Sequence, residues 1–389
     1  MSLPDVRRDL PGALLFLRYE YFNTAAKELT VKFLKLVVPA LLAFACSKGD
    51  ANNAGTASST SSASGQSVDL TGAGATFPYP IYSKWFSEYA QNTGVKINYQ
   101  SIGSGGGIRQ LSEETVDFGA SDSPMSDAEL ASAKGGPVLH FPTVLGADVI
   151  TYNLPGVTTA LKFTPAAVAD IFSGRIKKWN DARIASLNPG VTLPAQDILV
   201  VHRSDGSGTT YIFTDYLSTA VPSWKSSVGK GKDVKWPVGL GAKGNEGVSG
   251  QVKQTPGSIG YVELAYAKQN NLPIAAIRNR DGQFVAASVD AVTAAAAGAA
   301  KALPANTDYR ISIVDAPGAA SYPISSFTWI LVYQHQRDPV KGKKLVDFLN
   351  WALTEGEKQA VTLDYAPLPA EMAATVKARL ATIDLSGAK

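Results

Sequence analysis

Arg203 and Asp205 stand two residues apart in the segment HRSDGSGT (202–209), directly ahead of Ser207, Gly208 and Thr209. A guanidinium offers planar, paired donors suited to a phosphate-like oxyanion, and a nearby carboxylate can accept from it and fix its orientation. The glycines permit close backbone approach, and the hydroxyls add donors. Three other segments repeat this layout of strand end, small residues and helix start: GAGATFP (72–78), GSGGG (103–107) and GASDSP (119–124). A helix N-terminus presents unpaired N–H groups and about half a positive charge, so it attracts anions. Any one of these loops alone reads as a capped turn. Four in one chain, one with an embedded arginine, point to an anion site.

Competing chemistries fail at particular residues. Gly72-Ala-Gly74 opens a GxGxxG fingerprint, but its third position is Phe77; Gly103-x-Gly105 meets Ile108 at the same place. Both break where a dinucleotide fold needs close helix–strand packing, and no GxxxxGK[ST] loop is present. Ser207 is not within GxSxG, and none of His140, His202 and His335 has an obvious role as its base. The histidines form no metal-spaced pair, so no metal, no cofactor and no catalytic residue is expected. His202 reads as structural, alternating away from Arg203 at the strand end. A phosphate-ester hydrolase is the alternative of a different class, and it lacks both an activated nucleophile and metal ligands.

The elements that position these loops alternate between strand and helix. A strand is expected at 68–70, then a helix over 80–92 burying Ile81, Tyr82, Trp85, Phe86 and Tyr89. Val95, Ile97 and Tyr99 alternate as a strand. Thr164-Pro165 provides an N-cap and first-turn proline for a helix that Gly174 closes. The apolar run 197–201 (DILVV) leads straight into HRSDGSGT, with a helix over 209–219. A late strand is expected at 327–333 and a late helix at 339–353, while 291–300 reads as a plain alanine-rich surface helix. This order predicts α/β architecture with mostly parallel sheets, whose ligands sit where strand ends meet helix starts.

The 389 residues are 45% hydrophobic and 18% charged, ordinary globular material for two or three domains. The net charge is +3, and residues 1–45 hold six Lys/Arg against four acids, so the remainder carries about +1. A near-neutral body argues against a nucleic-acid partner. The N-terminal segment 1–45 reads as a leader: Lys32 and Lys35 precede an apolar run at 36–45, too short to span a membrane, and small residues surround Cys46, the only cysteine. Cys46 is the expected lipidation site of a lipoprotein. Residues 1–30 precede the positive region with no second methionine, and translation is expected to begin near Val31. Residues 46–67, almost free of large apolar groups, read as a flexible linker. That suits a folded body standing off a membrane, in the periplasm or on the extracytoplasmic surface.

The chain resembles the phosphate-binding proteins of Pst-type ABC importers, type II periplasmic binding proteins. The resemblance rests on TGAGATFP (71–78), YQSIGSGGG (99–107), VDFGASD (116–122), IFSGRIKKWND (171–181), HRSDGSGT (202–209), VKWPVGLGAKGN (234–245) and GSIGYVELAYAKQNNL (257–272). It implies two α/β lobes joined by crossing strands, with phosphate closed between them. Lobe I would comprise 68–148 plus 323–389, and lobe II 149–322. On matching positions the phosphate contacts would be Thr76, Phe77 (through its N–H), Ser104, Asp122, Arg203, Asp205, Ser207, Gly208 and Thr209. Gly105 departs from relatives that carry a second serine there, and His202 from those with a second basic residue. The implied function is non-catalytic capture of inorganic phosphate by a monomer and its delivery to an importer permease, with receptors for other tetrahedral oxyanions as the alternative. Phosphate keeps a proton near neutral pH and sulfate keeps none. An ionised Asp122 would accept that proton's hydrogen bond and meet only lone pairs on sulfate.

Overall fold

The computed structural model describes residues 70–300 and 307–387. The leader, Cys46 and the linker read from the sequence lie outside these residues. The described strands are β1 (Leu70–Gly74), β2 (Ile97–Ser101), β3 (Phe118–Ser121), β4 (Val138–Tyr152), β5 (Lys162–Phe163), β6 (Leu199–Arg203), β7 (Leu240–Ala242), β8 (Ser258–Glu263), β9 (Ala276–Arg278), β10 (Phe284–Val285) and β11 (Ser325–Tyr333). Eight of them form one sheet in the order β2-β1-β3-β11-β4-β8-β6-β7, and the other three a small sheet, β10-β9-β5.

The flanks of the large sheet, β2-β1-β3 and β8-β6-β7, are parallel. Its centre is not: β11 runs antiparallel to β3 and β4, and β4 antiparallel to β8. The expectation of mostly parallel sheets is therefore corrected for the centre. Parallel neighbours need crossover helices, whereas β4 is one long strand that traverses both halves. It pairs with β11 from Val138 to Ala147 and with β8 from Asp148 to Tyr152. Every residue of β3, β4, β8 and β11 is buried, as expected where helices cover both faces.

Pro142 interrupts this central strand without breaking it, because the β4–β11 register shifts between Thr328 and Trp329, leaving Thr143 as the extra residue. A bulge is where a proline lacking its N–H can sit inside a sheet. Thr143 is held by the Tyr82 hydroxyl at 2.7 Å.

The Tyr79–Thr93 helix buries the five aromatic and aliphatic residues its spacing predicts, with Tyr82 and Trp85 stacked at 5.6 Å and Phe86 against Phe348 at 5.4 Å. Gly94 ends it in the left-handed region at φ +76°. The Pro165–Phe172 helix starts as expected, with the Thr164 hydroxyl accepting from the Ala167 N–H at 3.2 Å. The alanine-rich Val289–Ala300 helix is more than a surface element. Its Ala291, Val292, Ala295, Ala296 and Ala299 are buried, and it packs against β4 and β11. Small side chains let it approach closely enough that a Cβ at Gly298 would meet the Pro317 carbonyl at 2.1 Å.

Among the described residues, no helix is long and apolar enough to cross a membrane.

Candidate functional site

Five strand ends converge on one buried cluster. β1 runs into Thr76 and Phe77, and β2 into the Ser104–Ser112 helix. Asp122 directly follows β3, β6 ends in Arg203 ahead of the Gly208–Ala220 helix, and β7 leads to the Gly244–Gln254 helix. The third loop differs from the expected layout. The next helix, Asp127–Ser132, is capped by Ser126 in a capping box with Glu129, so Asp122 projects from a strand end and caps nothing.

Arg203 is the only buried lysine or arginine among the described residues. Its Nε and Nη2 donate to the two oxygens of Asp205 at 2.8 and 2.6 Å, and its Nη1 to Thr209 Oγ1 at 3.2 Å. Both Asp205 oxygens are thereby engaged, and Oδ1 also accepts from the Gly244 N–H at 3.1 Å. Burial alone would raise the Asp205 pKa, but the Arg203 hydrogen bonds and charge hold the carboxyl below its ordinary range. Asp205 thus orients the guanidinium as its spacing suggested.

Asp122 is 1% exposed. Its Oδ1 accepts from Thr328 Oγ1 at 2.8 Å, its Oδ2 from the Ser104 hydroxyl at 3.4 Å, and its N–H donates back to Ser104 Oγ at 3.1 Å. Burial pushes its pKa up to about 7, against the opposing pull of Thr328, Arg203 and Ser104. Thr328 stands at the register shift between β11 and β4.

The two flanks of the sheet meet across the cluster. The Gly105 N–H donates to the Gly206 carbonyl at 2.8 Å. Thr76 Oγ1 accepts from the Asn245 N–H and Nδ2 at 3.2 and 2.7 Å, and Asn245 Nδ2 also reaches Thr209 Oγ1 at 3.1 Å. A Cβ at Gly208 would lie 2.4 Å from Ser104 Oγ and 2.5 Å from Asp122 Oδ2, so glycine is required for this approach. Ser207 caps its helix by accepting from the Thr210 N–H at 3.0 Å, which leaves its hydroxyl proton to donate elsewhere. The first-turn N–H groups of Gly208 and Thr209 have no acceptor within the helix.

All nine residues singled out from the sequence lie in or directly beside this cluster. Phe77 contributes backbone only, its ring being wholly buried. His202 turns away, stacking on Trp236 at 4.8 Å with its Nδ1 2.9 Å from the Arg203 carbonyl oxygen. His140 is paired with Asp308 and His335 with Asp384, so none of the three histidines faces Ser207.

Sequence reading missed Asn245 and Thr328. Asn245 could have been found as the polar residue opening a helix after a short strand, in GAKGN. Thr328 lies within an otherwise apolar run, and only its hydrogen bond to Asp122 reveals its place.

The ensemble combines one buried guanidinium, two free helix-start N–H groups, several hydroxyls and one acceptor carboxyl. This is a donor-rich cage for a tetrahedral oxyanion that keeps a proton.

Comparison with known proteins agrees on the fold. Residues 54–355 match the PBP superfamily domain model. The phosphate-binding protein PstS of Pasteurella multocida is 48% identical over 318 residues, covering 82% of this chain and 91% of that protein. PstS of Methanocaldococcus jannaschii is 37% identical, covering 87% and 91%. Among solved structures, a periplasmic phosphate-binding protein (PfluDING) bound with phosphate superposes with a TM-score of 0.64 at 23% identity, over 80% of this chain and 93% of its own. By its matching domain model and these long, well-covered identities, the chain belongs to the PstS family of phosphate-binding proteins, with their two-lobed PBP fold.

Proposed function

We propose that this protein captures inorganic phosphate outside the cytoplasm and delivers it to the membrane permease of an ABC importer, without catalysing a reaction. The observation that carries the reading is the pairing, in one buried cluster, of Arg203 and the Gly208–Thr209 helix start with the acceptor carboxyl of Asp122. The names of the PstS relatives support it. Thr76, the Phe77 N–H, Ser104, Asp122, Arg203, Ser207, Gly208 and Thr209 contact the ion in this reading, and Asp205 acts by holding Arg203. Lobe I comprises 68–148 with 323–389 and lobe II 149–322. The exchange of β4's partner between Ala147 and Asp148 supports the first of these boundaries. Closure on phosphate presents the surface that the permease reads.

Calorimetric titration of ligand-stripped protein tests the reading. One phosphate binds per chain, arsenate competes, and sulfate binds at least about a hundredfold more weakly, equivalent to about 3 kcal/mol. Absence of phosphate binding sinks the proposal.

The protein works as a monomer tethered through lipidated Cys46, with residues 46–67 as the spacer. Fractionation checks the tether: Cys46→Ser protein is expected in the soluble fraction and the unaltered protein with membranes. Equal distribution of the two excludes the anchor.

A further inference from the structure

Asp148 occupies the point where β4 leaves β11 and joins β8. Its backbone is fully engaged: the N–H donates to the Ile324 carbonyl at 2.9 Å, and the carbonyl accepts from the Tyr322 hydroxyl at 3.1 Å. Its side chain is different. Both carboxyl oxygens are wholly buried and neither has a hydrogen-bond partner. Directly opposite in the register stands Glu263, also fully buried. Glu263 Oε2 accepts from the Ala265 N–H at 2.7 Å and the Tyr365 hydroxyl at 3.1 Å, while Oε1 has no partner. Residues directly opposite in an antiparallel pair share one face of the sheet, so three unpartnered carboxyl oxygens lie on the same face.

The charged and titratable groups near enough to act on Asp148 are Arg203 at the end of β6, Glu263 and Tyr261 on β8, Asp122 after β3, and Tyr322 ahead of β11. Arg203 is the one cation among them, and Asp205 already engages it through two hydrogen bonds. An oxyanion in the cluster would add further negative charge. Four carboxyls and a bound anion around one guanidinium cannot all be ionised in a site closed to water. Of the four, Asp148 has the least to hold its charge.

We propose that Asp148 is a proton-binding residue of the hinge, neutral while the lobes are closed over phosphate and ionised once they separate and water reaches the strand. Each closure then takes up a proton from solvent, and each opening returns it. Burial holds the Asp148 carboxyl well above its ordinary range, Arg203 pulling the other way and Glu263 and Asp122 adding to the rise. A group whose pKa is higher in the closed state favours closure at low pH and opposes it as pH rises towards that value. Phosphate affinity should therefore fall with rising pH through a window that begins above the ordinary aspartate range.

The inference rests on the phosphate reading, and the experiment separates the two. Phosphate is titrated calorimetrically into the full chain and into Asp148→Asn between about pH 6 and 8.5, in buffers of differing ionisation enthalpy. Proton uptake by phosphate itself and by Asp122 is common to both proteins, so their difference reports Asp148. Across this range the unaltered protein is expected to take up more protons per phosphate than the variant, by at most one. Its affinity should fall relative to the variant by up to about tenfold per pH unit. Equal proton counts and parallel affinity curves overturn the proposal, while failure of the unaltered protein to bind phosphate overturns both readings. Should Asp148→Asn not fold, Asp148→Leu, apolar and similar in volume, carries the same comparison.

Discussion

Arg203→Ala is expected to lower phosphate affinity by about a thousandfold or more. Truncating one partner of a buried, hydrogen-bonded charge pair costs roughly 2–5 kcal/mol, and about 4 kcal/mol is a thousandfold in Kd. Three effects combine in this variant. The ion loses its paired donors, Asp205 loses the partner that holds both its oxygens, and Thr209 loses one of its two donors. Asp122, buried beside the site, would also lose the Arg203 charge that opposes its burial. Arg203→Lys restores the charge but cannot reproduce the two-point grip on Asp205, so it should fall between alanine and arginine. Calorimetry reads the affinity, and thermal unfolding separates loss of binding from loss of fold. An alanine variant that binds within tenfold of the unaltered protein would remove Arg203 from the site.

Asp122→Asn should act on selectivity more than on phosphate affinity, with discrimination against sulfate falling by about a hundredfold. Asparagine presents an N–H₂ group where the carboxylate offered only lone pairs, so a fully ionised anion no longer meets repulsion. The same logic gives the unaltered protein a pH dependence. Burial raises the Asp122 carboxyl to about 7. Above that pH it is an ionised acceptor and excludes sulfate. Below it the carboxyl gains a proton and becomes a donor, so sulfate affinity should rise as pH falls through about 7. The asparagine variant should show no such rise. Competition of sulfate against phosphate at about pH 6 and pH 8.5 measures both effects, and unchanged selectivity in the variant would exclude Asp122 as the discriminating group.

The local elements were legible because each carries a short-range signal. The aromatic spacing of Tyr82, Trp85, Phe86 and Tyr89 marks a helix face, and Thr164-Pro165 marks a helix start. Glycines beside hydroxyl residues mark the loops that meet in the buried cluster. The antiparallel centre of the sheet was not legible, because β4 and β11 are buried along their whole length and largely apolar, and such runs do not encode the direction of their neighbours. Asn245 and Thr328 were missed for a related reason. Each matters through a partner distant in the chain, Thr76 and Asp122 respectively, and no spacing within either segment reports that meeting. Asp148 carries no motif or spacing signal of its own, and only the exchange of strand partners places it opposite Glu263.

The place of β11 also bears on when the chain can fold. It is the last strand to be synthesised, yet it sits at the centre of the sheet between β3 and β4. Until Ser325–Tyr333 has emerged, the inner edges of those two strands have nothing to close against. Such late, long-range closure delays folding. The chain can therefore lock into shape only when nearly all of it has been made.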